Sequence, residues 1–517
     1  MGAQMTPLFR KAHARGFGYA GRCPKPPIPL NLLNHKYILI MKFINRTREL
    51  EFLQRKYTSS EPELIIFYGR RRIGKTELLN EFSKNKKTLY FLGRAESKED
   101  TLRRFNLFLM EYFNDISLAR SPLREWDSFF EYLAEKSKKR LVLIIDEFPL
   151  IVEKFPEILS ILQDKWDTLF KKSKIMLVLC GSSISMMEKY TLDYKSPLYG
   201  RRTGQWMVDR LEIVHLKEFF PQYSFEDILT VYSAIDTIPG YIVKFDSHLP
   251  VWKNIENKIF SKGEYLYEEV EILLREELRD PSNYMSILSA IAGGLTAFNE
   301  IYTKTGLDKS LLSKYLSVLE KLGIIEKNQP VTSTFKRKLK AIGAKYSIKD
   351  NFFDFWFRFV YTNLSELEKG NSAAISKSVQ KDFPEYLGTK FERAVIGLIP
   401  HLGIFQYTKI GKWWHKEQEI DIVAVNENTN EILFCECKWK NKKADAKVLE
   451  ELLDKAKFVD WNTGKRKEYF MFVSKNGFTM EAEEFARRNN FLLFSLKNLE
   501  RVLQHNPQDQ NTKVTIY

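Results

Sequence analysis

The eight residues from Gly69 to Thr76, GRRRIGKT, constrain this chain more than any other stretch. They follow a short β-prone apolar run, Glu63–Gly69 (ELIIFYG). They open the segment GKTELLNEFSK, in which Leu78, Leu79 and Phe82 fall on one helical stripe. A buried parallel strand, a glycine-bearing loop and a helix start are the context in which G-x-x-x-x-G-K-T holds a phosphate chain. Gly69 and Gly74 let the backbone curl so that its N–H groups point inward, and the helix amino terminus adds partial positive charge. Gly69, Arg70, Arg71, Arg72, Ile73, Gly74, Lys75 and Thr76 are therefore expected to bind ATP. Lys75 would reach the β- and γ-phosphates, and the Thr76 hydroxyl would ligate Mg²⁺. The pattern tolerates any residue at 70 to 72. The three arginines are expected to point outward, toward nucleotide, nucleic acid or an acidic partner.

Such a loop needs a carboxylate on a neighbouring strand. RLVLIIDEFPLI supplies it, because the apolar run Leu141–Ile145 ends at Asp146 and Glu147. Asp146 is expected at the strand's carboxyl end as a Mg²⁺ ligand, with Glu147 placed to polarise an attacking water. KIMLVLCGSS reads as a third buried strand ending in Ser182, a candidate sensor of the γ-phosphate. Arg201, with Arg202 in SPLYGRRTG, is a candidate arginine finger. It would act in cis or from a neighbouring subunit, so a homo-oligomer is one possible assembly.

Composition bounds the rest. At about 150 residues per domain, 517 residues suggest three or four domains. The chain carries 81 basic and 66 acidic residues, a net charge of +15, and this sign suits an anionic partner such as DNA. Four cysteines make no disulfide framework, which points to a reducing, cytoplasmic compartment. Cys435 and Cys437 have no second pair with which to hold zinc. No apolar stretch approaches the roughly 18 residues that span a membrane. Residues 1–40 contain no Asp or Glu and include CPKPPIPL. They read as a basic extension, disordered or an over-called start before Met41.

The middle of the chain reads as small helices, with a tight loop at Pro239 and Gly240, and then as a helix-turn-helix. Gly306 marks its turn, Asp308 caps the second helix, and Leu311, Leu312, Tyr315, Leu316 and Leu319 form a buried stripe. Lys309, Ser310, Ser313 and Lys314 face the other way, as residues meeting a DNA groove would. A basic ribbon follows, in which Lys336, Arg337, Lys338 and Lys340 are placed to touch phosphates. DNFFDFWFRFVY, Asp350–Tyr361, has the periodicity of a buried helix.

Near the carboxyl end, EIDIVAV and EILFCECKW are two strands joined by the polar turn NENTN. With the turn centred between Asn428 and Thr429, Asp421 and Glu436 fall opposite each other, their Cβ atoms about 5 Å apart. Lys438 lies two residues on and shares that face. Glu392, on a preceding helix, stands available behind. Two carboxylates would hold a divalent metal and the lysine would stabilise developing charge.

GRRRIGKTELL, LIIDEFP, LCGSS, SPLYGRR and IPGYI, in this order from Met41 onward, resemble the archaeal P-loop ATPase family. Within P-loop proteins they are similar to the branch with an extra strand between the two nucleotide motifs. Asp421, Glu436 and Lys438 resemble the PD-(D/E)xK nucleases of restriction-endonuclease-like fold. The resemblance implies an α/β multidomain chain: a basic extension (1–40), a P-loop ATPase core with a parallel sheet (41–210) and a helical lid (211–282). A winged helix-turn-helix (283–349), an aromatic helical connector (350–380) and a nuclease-like α/β domain (381–517) complete it. The expected function is a Mg²⁺-dependent ATPase whose nucleotide state controls a DNA-binding winged helix and the nuclease-like domain. Asp421, Glu436 and Lys438 would be catalytic there, the first two as metal ligands. Mobile-element handling, genome defence or DNA repair would suit this layout. The alternative is a regulatory switch whose terminal domain binds without cleaving.

Overall fold

Apolar runs bounded by glycine and acidic residues become the strands of the first sheet. The structure, a computed structural model, describes residues 43–278, 280–333 and 343–504. The expected extension 1–40 and the ribbon residues Lys336, Arg337, Lys338 and Lys340 lie outside the described residues. Five strands, β1 (Glu63–Tyr68), β2 (Thr88–Leu92), β3 (Leu141–Asp146), β4 (Ile175–Gly181) and β5 (Gly204–Met207), pair in parallel in the order β2-β3-β4-β1-β5. β1, β3 and β4 are buried along their whole length. Their unbroken apolar sequence is what a parallel strand covered on both faces requires. β4 stands between β1 and β3, so the ends of all three lie along one carboxyl edge. Phe105, Trp126, Phe129, Phe130 and Phe170 fill the core beside Leu143 and Leu177.

Short helices follow the sheet, and Pro239–Ile242 returns to the glycine loop, where the Gly240 N–H donates to the Arg72 carbonyl at 2.9 Å. The helix-turn-helix comprises Phe298–Thr305 and Lys309–Lys321. Asp308 caps the second helix by accepting from the Ser310 N–H at 2.8 Å. Leu312, Leu316 and Leu319 are buried, whereas Lys309, Ser310, Ser313 and Lys314 are exposed. β6 (Ile325–Asn328) and β7 (Lys345–Ile348) pair antiparallel behind it. Asp350 then caps a turn of helix in which Phe352, Phe353, Phe355 and Trp356 are fully buried. After the short helix Leu364–Glu368, the helix Ser372–Leu402 runs unbroken past residue 380, so the boundary expected there falls inside one element.

The last sheet is mixed. Its strands are β8 (Lys409–His415), β9 (Gln418–Asn426), β10 (Glu431–Lys438), β11 (Lys467–Ser474) and β12 (Phe491–Ser495), in the order β12-β11-β10-β9-β8. β8, β9 and β10 are antiparallel, while β10, β11 and β12 run parallel. Glu431 pairs with Asn426 and Cys435 with Ile422. One further step in this register sets Glu436 opposite Asp421, as the turn chemistry predicts. Trp413 is packed in the core of this sheet. No helix among the described residues is long and apolar enough to cross a membrane.

Candidate functional site

The loop between β1 and the helix Lys75–Ser83 brings together most of the residues that sequence singles out. A Cβ at Gly69 would lie 2.4 Å from the Val208 carbonyl oxygen, and Gly74 adopts φ +89°, so both positions suit glycine alone. The Lys75 ammonium donates to the carbonyls of Gly69 at 2.7 Å and Arg70 at 2.9 Å. Burial lowers its proton affinity. The Thr76 hydroxyl donates to Asp146 Oδ2 at 3.0 Å, which sets two hard oxygen ligands side by side. Glu147 caps the helix Phe148–Lys154 with φ +50°, its N–H bonded to Asp146 Oδ1. The Ser182 hydroxyl at the end of β4 donates to Glu147 Oε1 at 2.6 Å. Loop, aspartate, glutamate and serine thus share one carboxyl edge, and these residue types fit a magnesium-bound triphosphate.

Tyr90 was not foreseen. From β2, its hydroxyl donates to the same Asp146 Oδ2 that Thr76 reaches, and burial with the adjacent charge raises its pKa. The adjacency of β2 and β3, which places a polar strand residue beside Asp146, is the signal that would have found it.

Of the three expected kinds of partner, the arginines meet acidic ones, and Arg71 stays exposed. Arg70 pairs with Asp350 at 2.5 Å across 280 residues of sequence, and Asp350 is fully buried. Burial pushes the Asp350 carboxyl up, but Arg70 and Arg210 outweigh it and hold it below the usual range. Arg72 meets the buried Glu269 and the Tyr265 hydroxyl, and Arg71 meets Glu276 at 3.3 Å. Burial pushes Glu269 up to about 7 against the pull of Arg72. The acidic partners are this chain's own. They come from the segment expected as a lid and from the start of the aromatic helix. Arg201 is likewise not brought to the loop. Its guanidinium donates to one oxygen, Asp167 Oδ2, through Nε at 2.9 Å and Nη2 at 2.7 Å, an ion pair that commits it elsewhere.

At the second candidate site, Asp421 and Glu436 converge with Lys438 as expected, but lysines crowd them. Lys438 Nζ lies 2.7 Å from Glu436 Oε2 and 3.9 Å from Asp421 Oδ2. Lys455 takes the other Glu436 oxygen at 2.8 Å, and the Cys437 N–H donates to Asp421 at 2.9 Å. Glu392 pairs with Lys412 from β8. Burial and the nearby Glu436 and Glu392 charges push Asp421 up to about 7. Burial also acts on Glu436, but Lys438 and Lys455 hold it low. Among the described residues, no three His, Cys, Asp or Glu side chains are grouped to hold one ion. Both Glu436 oxygens are paired with ammonium groups, so a divalent metal held at the expected Asp421–Glu436 pair would have to displace Lys438 or Lys455 from Glu436. Lys412 and Lys455 sit on other elements, at no fixed spacing from the motif.

Three families match in succession. One described as an ATPase domain predominantly from Archaea matches residues 43–245. The arsR family of bacterial regulatory proteins matches residues 285–327. Archaeal and bacterial proteins of unknown function match residues 356–449, which contain Glu392, Asp421, Glu436 and Lys438. An uncharacterized protein of Methanocaldococcus jannaschii is 36% identical over 463 residues, covering 88% of this chain and 99% of that one. An uncharacterized ATP-binding protein of the same organism is 56% identical over 48 residues, 9% of this chain and 81% of its own length. Among solved structures, a Walker-type ATPase of Pyrococcus abyssi aligns with a TM-score of 0.47 at 20% identity, covering 61% of this chain and 96% of that one. With its long Methanocaldococcus relative, this chain belongs to the archaeal ATPase family, its ATPase domain continued by a helix-turn-helix of the regulatory kind and a carboxyl-terminal region of unknown function.

Proposed function

We propose that this chain is a Mg²⁺-dependent ATPase whose nucleotide state sets the placement of a DNA-binding winged helix and of the carboxyl-terminal domain. The buried Arg70–Asp350 pair carries this reading, since it ties the phosphate loop to the segment leaving β7. ATP would draw Lys75 off the Gly69 and Arg70 carbonyls and onto its phosphates. Thr76 and Asp146 would hold the magnesium, which neutralises phosphate charge. Glu147 would orient the water, and Ser182 would report on the terminal phosphate through Glu147. Movement of the loop then loads Asp350 and the helix it caps. A ligand shifts an equilibrium only by its differential affinity, and any coupling is reciprocal. ATP should therefore change DNA affinity by the same factor as DNA changes ATP affinity. Titration of wild type and Lys75→Ala, each with and without DNA, tests this. Absence of saturable ATP binding in wild type, or DNA affinity indifferent to nucleotide, would overturn it.

For the terminal domain two readings stand. The convergence of Asp421, Glu436 and Lys438 supports a PD-(D/E)xK-like nuclease. The lysines saturating Glu436 favour binding without cleavage. Plasmid incubated with Mg²⁺ and either wild type or Lys438→Ala separates them. Cleavage by wild type alone supports the nuclease; equal cleavage by both, or none by either, removes it.

A further inference from the structure

β10, β11 and β12 run parallel, and their carboxyl ends share a row in which Lys438 pairs with Ser474 and Ser474 with Ser495. A cavity of about 700 Å³ opens at the end of this row, beside β11 and β12. Crevices outside the carboxyl ends of parallel strands are where open sheets take ligands. Phe478, Phe491 and Leu493 line it from the core side, and Lys443, Lys475, Arg487 and Lys497 line its polar side against a single carboxylate, Glu483. Lys475 is already compensated by Glu226 at 2.7 Å. Lys443, Arg487 and Lys497 are exposed, and none of the ion pairs among the described residues uses them. Three cations without an ion-pair partner therefore face the groove against one anion, with Arg487 Nε donating to the Glu483 carbonyl at 3.3 Å.

We propose that this groove binds the sugar-phosphate backbone of a nucleic acid and leads it toward the Asp421–Glu436–Lys438 cluster. With neighbouring strands about 4.8 Å apart, β12 and β10 are separated by about 10 Å, so one strand of nucleic acid bridges groove and cluster. A backbone track suits the lining better than a base pocket, because the aromatic rings here are packed into the core and offer no free face for stacking. The inference rests on the proposed reading insofar as both take nucleic acid as partner. It adds a contact site separate from the winged helix.

The test is fluorescence anisotropy of labelled DNA with full-length protein across a salt series. Each neutralised phosphate contributes about 0.7 to 0.9 to the slope of log affinity against log salt. The triple variant Lys443→Ala/Arg487→Ala/Lys497→Ala should lose about 2 to 3 from that slope while its ATP hydrolysis stays at the wild-type rate. The charge-keeping set Lys443→Arg/Arg487→Lys/Lys497→Arg should retain the slope. An unchanged slope in the triple variant, together with a loss in Lys309→Ala/Lys314→Ala, would sink the groove and leave the winged-helix reading intact. An equal loss in the charge-keeping set would also sink it, since shape and not charge would then be responsible. No DNA affinity in wild type at any salt would remove both.

Discussion

Asp350→Asn is the sharpest perturbation the structure offers. The substitution preserves side-chain shape and the acceptor that takes the Phe353 N–H at 3.0 Å, so what it removes is the charge facing Arg70. Two unit charges about 4 Å apart at an effective dielectric constant near 20 interact by about 4 kcal/mol. Loss of one partner of a buried pair costs about 3–5 kcal/mol. Arg70 retains 19% side-chain exposure, which admits some screening and sets the expectation at about 3 kcal/mol. A multidomain chain does not unfold in two states, so global melting is the wrong readout. Hydrogen exchange of the segments 69–76 and 350–360 reads local opening directly. Asp350→Asn and Arg70→Met should each lower protection in both segments. The double variant should be less damaged than the sum of the two by at least about 1 kcal/mol, since pairs in contact couple by that order. Additivity within about 0.5 kcal/mol would show that the two charges do not interact in solution, and the proposed link between loop and connector would go with them.

Glu269 gives a pH dependence of defined sign. Its carboxyl keeps a proton to about pH 7 when folded and to about 4.5 when unfolded. Between those values the folded chain binds more protons, so stability falls as pH rises, by about 3 kcal/mol for 1.36 kcal/mol per unit. Glu269→Gln should reduce that slope in the opening free energy of the helix Glu269–Glu277, read by hydrogen exchange from pH 4.5 to 7, and an unaltered slope would assign it elsewhere. Gly240→Ala would place a Cβ 2.6 Å from Arg72 Cβ and 3.0 Å from the Arg72 carbonyl. Overpacking of this kind costs about 1–3 kcal/mol, which should appear as weaker ATP binding in calorimetry with unchanged DNA affinity of the nucleotide-free protein. Arg393 donates to the Lys349 carbonyl at 2.8 Å and also meets Glu326. Arg393→Lys should reduce the ATP–DNA coupling by about 0.5–2 kcal/mol while leaving ATP affinity alone, as measured by the paired titrations.

What the sequence made legible was local. The strand, glycine loop and helix of the nucleotide site follow from contiguous residues. The cap at Asp308 follows from one side chain and two neighbouring N–H groups. The β9–β10 register follows from a five-residue turn, because a hairpin's pairing is fixed once its centre is known. What stayed hidden was set by tertiary packing. Arg70 and Asp350 are 280 residues apart, Arg201 and Asp167 are 34 apart, and Lys455 reaches Glu436 from a helix beyond β10. Such pairs leave no period to read. The aromatic run at 350–361 was legible as buried but not as the place where a loop arginine ends.

Three arginines in a phosphate loop would repel one another and the neighbouring Lys75 unless carboxylates compensated them. Each receives one: Arg70 takes Asp350 at the start of the aromatic helix, and Arg71 and Arg72 take Glu276 and Glu269 from one helix, Glu269–Glu277. The loop can therefore keep its charge for the triphosphate only while those segments stay in place, and a change in either is felt by the other. Asp350 stands directly before Asn351, whose N–H is bonded to Asp236, and Asp236 in turn pairs with Arg210. Arg393, which holds the Ile348 and Lys349 carbonyls just ahead of Asp350, is the helical neighbour of Glu392 at the carboxylate cluster. The odd charge density of GRRRIGKT is thus explained by packing: the arginines are the fastenings by which later segments hold the nucleotide loop.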